Sequence, residues 1–339
     1  MVMDKLITKE INTQALMVIL EKNYQEISPL WSHHQMEWIN DMYKTYKDHE
    51  KYMIVLYLVK KTFDFYSRHF VKESYIQFFE KDFIELDSFN VVEVARAINM
   101  PKESTRRKIN ELEKSGVIKR INKKIIIDKS IFPYVKPVKS VIRLSRFLST
   151  MSNILSKEKI LLETFESSVI EKYIKKNFSY IWKLYFEVQI PMLLNWKKIF
   201  KDMETFHIWA VCVVNQKLNI KKIDENKGNK KNYLKNFFYD DKFSKNGINA
   251  MSVSDITGIP RATVIRKLKI LIKKRYLKIN DKKLYSIAKV SKNHQQELLS
   301  AQQNTFGNLS KFISKIFSFL IIEKEFDHIK KHEKLTFQN

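Results

Sequence analysis

The sequence contains almost none of the residues from which the commonest catalytic and structural devices are built. One cysteine, Cys212, stands in 339 residues, which excludes an internal disulfide and a cysteine-based zinc site. Its apolar setting, IWAVCVV, points to a small buried thiol. Five glycines lie far below the roughly 7% usual in proteins, and neither GxGxxG nor a Gly-rich loop ending in Lys-Ser/Thr occurs, so the usual phosphate-cradling turns are missing. Unbroken apolar runs such as MIVLYLV at 53–59 are about seven residues long, whereas a spanning helix needs about 20. The first residues, MVMDKLITKEINTQALMVIL, carry acids early and no small-residue cleavage site, unlike a secretory signal. These absences lead to the expectation of a soluble cytoplasmic chain with no membrane contact.

Positive charge is what the chain has in excess. Lys and Arg number 62 against 37 Asp and Glu, a net charge of +25, which suits a polyanionic partner. The chain is also rich in Lys, Ile and Asn, as AT-rich coding DNA tends to produce. Charge alone therefore does not identify that partner.

The chain repeats itself, as a search for internal similarity shows. Residues 94–128, VARAINMPKESTRRKINELEKSGVIKRINKKIIID, lie over 253–287, VSDITGIPRATVIRKLKILIKKRYLKINDKKLYSI, with nine of 35 positions identical and no gap. KNYQEISPLW (22–31) lies over KNFSYIWKLY (176–185), YKDHEKYMI (46–54) over FKDMETFHI (200–208), and LSRFLSTMSNIL (144–155) over LSKFISKIFSFL (309–320). The offset rises from 154 to 159 to 165 along the chain. Lys-rich composition inflates such scores but does not generate a collinear series. Two copies of one unit are expected, roughly 11–158 and 165–323.

Each unit opens on about 60 residues with apolar side chains at three- and four-residue spacing, the pattern of amphipathic helices. A short helix follows (about 92–98; 251–257), broken at Asn99-Met100-Pro101 or Gly258-Ile259-Pro260, where Asn and Gly tolerate a left-handed backbone. A second helix runs to about 115 or 274, with Thr105, Ile109 and Leu112, or Val264, Leu268 and Leu271, on one stripe. Both copies then have a β-prone segment that turns at Asn122-Lys123-Lys124 or Asp281-Lys282-Lys283, as a hairpin does. The expected fold is mainly α, an internal duplication in which each half pairs a helical region with a winged helix-turn-helix carrying a small β-wing. The divisions are helical regions at 1–88 and 165–245 (with a polar loop near 221–232), winged helix-turn-helix segments at 89–130 and 246–290, and closing amphipathic helices at 139–158 and 304–325.

The run VSDITGIPRATVIRKLKILIKKRYL resembles the winged helix-turn-helix of IclR-type and MarR-type bacterial regulators. Gly258, Pro260, Arg261, Thr263, Val264, Arg266, Leu268 and Leu271 match that pattern. The first copy departs from it at Asn99 and Thr105 but supplies Gly116 after its second helix, where the second copy has Arg275. The resemblance covers about 40 residues in each half and implies a double-stranded DNA partner, with the second helix entering the major groove.

Residues 256–280 contain eight Lys or Arg and no acid, whereas the first copy sets Lys102, Arg106, Arg107 and Lys108 against Glu103, Glu111 and Glu113. Copy two is therefore the stronger candidate for DNA contact. Arg266 and Arg107 suit base reading through a bidentate fork on guanine. Arg261, Lys269 and Lys102 suit the backbone, and Ser104, Arg106 and Thr263 complete the helix N-termini. Lys123, Lys124, Lys282 and Lys283 fit wing tips on phosphates. The bland alternative is that one or both modules dock protein.

Val141, Leu144, Leu148, Met151 and Leu155, and again Phe306, Leu309, Ile313, Ile316 and Leu320, form seams about two heptads long. Two readings stay open: each helix packs on its own unit's core, or residues 141–155 and 306–320 mediate a homodimer or an intrachain pseudo-dimer. His33-His34 and His328/His332 lack the cysteines or HExxH spacing of a metal site, and no catalytic arrangement of Ser, His and carboxylates is discernible. The sequence leads to a DNA-binding, non-enzymatic protein without a cofactor, most concretely a transcriptional regulator. A replication-initiator or chromosome-partition protein and a protein-docking scaffold are its rivals.

Overall fold

A computed structural model describes residues 11–86, 89–121, 124–129, 136–224, 247–289 and 291–336. Among these the chain is mainly helical, with thirteen helices and five short strands. The first half contains α1 (Thr13–Lys22), α2 (Tyr24–Tyr46), α3 (His49–Arg68), α4 (Tyr75–Glu80), β1 (Phe83–Leu86), α5 (Val91–Ala97), α6 (Lys102–Lys114), β2 (Ile118–Ile121), β3 (Lys124–Asp128) and α7 (Val138–Lys157). The second contains α8 (Ser167–Lys176), α9 (Phe178–Phe200), α10 (Met203–Asp224), α11 (Ala250–Thr257), α12 (Arg261–Lys273), β4 (Leu277–Ile279), β5 (Tyr285–Ile287) and α13 (Lys292–Thr336).

Local geometry recurs between the halves. Helices α1 and α8 are both 10 residues long, α2 and α9 both 23, and α6 and α12 both 13. Asn23 and Asn177 stand at the breaks after α1 and α8, and each side-chain Nδ2 donates back to the preceding helix, to Ile19 O and Tyr173 O. Lys47 and Lys201 end α2 and α9 in the left-handed region, at φ 52° and 72°. The tight turns are left-handed at Asn99 (φ 51°) and Gly258 (φ 70°), and the residues after the second helices are left-handed at Gly116 (φ 76°) and Arg275 (φ 59°). Arg275 thus adopts the conformation that Gly116 adopts without steric cost.

The helices form one interlocked body. In the second half, α10 packs on α2 of the first, and in the first half, α3 packs on α9 of the second. Likewise α13 packs on α1, and α7 on α8. A single continuous apolar core runs through both halves. The two heptad seams are fully used in this exchange. Val141, Leu144, Leu148, Met151 and Leu155 are buried between α7 and its neighbours α2 and α8, and Phe306, Leu309, Ile313, Ile316 and Leu320 between α13 and its neighbours α9 and α1. Each such side chain contributes about 1.5–3 kcal/mol on burial. The main contacts of the two seams are therefore with the first helices of opposite halves and the second helices of their own. Of the two readings, the described contacts match packing within the chain's own core, shared between the halves.

Ion pairs repeat as well. Lys22 at the end of α1 meets Glu158 after α7 at 2.7 Å, and Lys176 at the end of α8 meets Glu323 on α13 at 2.7 Å. The stretch Lys292–Lys324 of α13 is the one segment among the described residues that is long and apolar enough to cross a membrane, and 56% of its apolar window is buried against the body.

Two small sheets flank the core. In the first half the order is β1-β3-β2, antiparallel throughout, with Ile84 opposite Ile127 and Ile118 opposite the same Ile127. Strand β1 lies inside the 1–88 region expected to be helical, so the sheet gains a strand from that side. In the second half β4 pairs with β5, and Ile248 bridges Tyr285 where β1 would run. The polar loop expected near 221–232 lies mostly outside the described residues, although α10 continues to Asp224.

Candidate nucleic-acid interface

Helix α5 is N-capped by Asn90, whose side chain accepts from Val92 N, and α11 by Asn249, which accepts from Ser252 N. After the left-handed turns, Pro101 and Pro260 precede the first residues of α6 and α12. Proline removes a backbone donor only where the helix start would leave one unpaired, and its fixed φ favours helix entry. The inward stripes are buried as their spacing requires: Thr105, Ile109 and Leu112 on α6, and Val264, Leu268 and Leu271 on α12. Most of the other side chains of both helices are exposed.

A lysine anchors each of these helices, buried in α12 and half-buried in α6. Lys267 of α12 meets Asp202 at 2.9 Å and Glu204 at 3.8 Å, with only 10% of its side chain exposed. Lys108 of α6 meets Asp48 in the corresponding place. Asp48 caps α3, accepting from Glu50 N at 2.9 Å and Lys51 N at 3.2 Å. Asp202 accepts from Thr205 N at 2.8 Å at the start of α10. Burial pushes both carboxyls up, but the lysine ammonium and these N–H donors outweigh it and hold both below the usual aspartate value. Sequence comparison matches Lys108 with Lys267 as part of a basic face, whereas the structure turns both toward carboxylates of the body. The available signal was Lys-Asp at 47–48 and 201–202, inside a repeated segment.

The same corner brings the two modules to one end of the body. His49, at the start of α3, donates from Nε2 to His207 Nδ1 on α10 at 3.1 Å, while His207 Nε2–H donates to Asn40 Oδ1 at 2.8 Å. The acceptor-only Asn oxygen fixes that tautomer of His207. Burial lowers His49 to about 4 and His207 well below its ordinary value, so both rings are neutral near pH 7. Lys197 of α9 reaches across to the first turn, donating to Asn99 O at 3.2 Å, and Lys47 Nζ stands 3.6 Å from where a Cβ on Gly258 would lie.

The two modules differ in how their surface charge is held. On α6, Arg106 pairs with Glu103 at 2.5 Å and Arg107 with Glu111 at 3.9 Å, while Lys51 of α3 also takes Glu111 at 2.9 Å. Lys119 and Arg120 of β2 pair with Asp128 and Glu113 at 2.6 and 2.8 Å. On α12, by contrast, Arg261, Arg266, Lys269 and Lys273 are exposed, and none has an ion-pair partner among the described residues. Lys274 and Arg275 continue the same surface.

Most of the expected contact residues are placed by this arrangement. Lys102, Arg106 and Arg107 are exposed and Ser104 half-buried at the start of α6; Arg261, Arg266 and Lys269 are exposed and Thr263 half-buried on α12. Lys282 and Lys283 are exposed in the loop joining β4 to β5, where Lys283 N donates to Asn280 O at 2.9 Å and Lys283 takes φ 56°. Lys123 lies outside the described residues. Lys124 opens β3 opposite Ile121, and its side chain lies outside them too.

His33 is exposed. His34 is buried with Nε2 2.7 Å from Tyr185 OH, and the side chains of His328 and His332 lie outside the described residues. Among the described residues no three His, Cys, Asp or Glu side chains cluster as metal ligands do. Comparison with known protein families, curated proteins and solved structures finds no match to this chain, so the likeness to IclR-type and MarR-type regulators rests on the sequence motif of the two repeated segments alone.

Proposed function

We propose that the chain is a sequence-specific double-stranded DNA-binding protein, acting as a transcriptional regulator. It would carry two winged helix-turn-helix heads, one in each copy of a duplicated unit. The duplication is supported by equal helix lengths, by left-handed residues at matching positions and by two ion pairs that recur across the halves. The observation that carries the DNA reading is the outer face of α12. Its exposed cations have no carboxylate partner among the described residues, while its one buried lysine is spent on fixing the helix to the body. A helix kept only for packing has no use for such a one-signed surface; a helix laid in a major groove between two phosphate chains does.

In this reading Arg261, Lys269 and the hairpin lysines Lys282 and Lys283 neutralise phosphates and set the register, and Arg266 reads a base edge. Binding is the whole mechanism, with occupancy of the duplex blocking or recruiting polymerase. The ion pairs that hold Arg106 and Arg107 on α6 favour a second reading for that head alone, a protein-docking surface or a weaker DNA contact. Duplex DNA binding by the full chain, compared with Arg261→Ala/Arg266→Ala, tests the proposal.

A further inference from the structure

The helical body contains a cavity of about 80 Å³ where α2 of the first half crosses α9, α10 and α13 of the second. Trp31, Trp196 and Phe306 form part of its apolar wall. Against that wall stand three side chains whose polar atoms make no hydrogen bond within the protein: Ser28 Oγ, both Nε2 and Oε1 of Gln35, and Trp209 Nε1. Each of these residues is at least nine-tenths buried. Buried polar groups are normally paired, and a cluster of unpaired ones lining a single cavity marks a place built to be completed by something polar. Lys217 lines the same cavity, its ammonium donating to Tyr24 OH at 3.1 Å and Ser32 Oγ at 2.8 Å.

Donors outnumber acceptors here. The N–H groups of Gln35 and Trp209 and the Ser28 hydroxyl call for oxygen acceptors, and the nearby ammonium favours a negative head. We propose that the cavity binds a small carboxylic acid with an apolar body, the carboxylate accepting from Gln35 Nε2–H and Trp209 Nε1–H and the hydrocarbon lying on Trp31, Trp196 and Phe306. The volume limits the body to a few carbon atoms, since a cavity of ~150 Å³ is the scale that takes a benzene ring. The site sits on α10, whose first turn holds the Asp202 anchor of α12. Occupancy therefore stiffens the element from which the second head hangs, a consequence that rests on the DNA-binding reading.

The test uses the full chain without DNA, so its outcome is independent of that reading. Acetate is titrated by calorimetry, with ethanol as the neutral comparator and thermal unfolding as a second readout. Saturable acetate binding is expected with a dissociation constant of about 1 mM or tighter, on the scale open to ligands of a few heavy atoms. Ethanol should bind at least about tenfold more weakly, because it offers no charged acceptor. Gln35→Met and Trp209→Phe each remove a donor while keeping shape, and either should weaken acetate about tenfold or more. Trp209→Phe is the reserve should Gln35→Met not fold. Absence of saturable binding, equal affinity for acid and alcohol, or indifference to both substitutions overturns the proposal and leaves the cavity to ordered water.

Discussion

Asp202→Asn should loosen α12 without touching any residue on its exposed basic face. Asp202 is the main partner of Lys267, whose ammonium is nearly enclosed between α12 and α10. Removing one partner of a fully buried pair costs about 3–5 kcal/mol, and an exposed pair is worth less than about 1 kcal/mol. Here the lysine end is buried but 44% of the Asp202 side chain is exposed, and Glu204 remains 3.8 Å away as a second acceptor. Asparagine also keeps the oxygen that accepts from Thr205 N. The expected loss is therefore intermediate, about 1–3 kcal/mol. Urea unfolding of the full chain reads it as a lower midpoint at unchanged slope. Lys267→Met/Asp202→Asn should recover most of the loss, because no buried charge is then left unpaired. An Asp202→Asn chain that unfolds with wild type, or a double variant less stable than the single one, refutes this reasoning.

Two further outcomes follow from the same corner and its turns. Stability should fall as pH drops from about 6.5 toward 4, since His34 and His49, lowered by burial to about 3 and about 4, stay neutral in the folded chain while the unfolded chain takes up protons. At pH 5 this amounts to about 2 kcal/mol for each ring, and the depressed Asp48 and Asp202 add a loss only at lower pH, as the pH falls below the ordinary aspartate value toward their folded values. Thermal melts at pH 7 and 5 check this, and a flat profile contradicts it. Gly258→Ala should cost about 1–2 kcal/mol through backbone strain alone, because φ is +70° and the nearest atom to the added Cβ is Lys47 Nζ at 3.6 Å. Gly258→Asn should cost less, as Asn99 already holds φ 51° in the other turn, and equal losses in urea unfolding would refute the strain explanation.

Most of the helix order around the candidate interface was legible in the sequence, because its signals are local. Asn99 and Gly258 announce left-handed turns, prolines mark helix starts, and the stripes ending at Leu112 and Leu271 follow from helical period. The strand Phe83–Leu86 was not, since four residues acquire strand character only by pairing with Ile125–Asp128, some 40 residues on. The destinations of the two seams were equally hidden. A heptad stripe specifies that an apolar face is covered, not by which helix, and here the first helices of the two halves exchange places. At the interface, the basic composition of α6 and α12 was visible. The opposition of Arg106 and Arg107 to Glu103 and Glu111 was legible as helical spacing, whereas the pairing of Lys119 with Asp128 depended on strands brought together by folding. The cavity at Gln35 and Trp209 lies between halves, so no window of sequence contains it.

The central claim, that α12 reads duplex DNA, is tested most directly by affinity across a salt series for the full chain and for Arg261→Ala/Arg266→Ala. The expected result is a steep fall of log K with log salt, about 0.9 for each phosphate contact, a slope reduced by about 1 on losing Arg261, and a further loss of about tenfold or more for a selected sequence on losing Arg266. A shallow slope, or one that both substitutions leave unchanged, contradicts it.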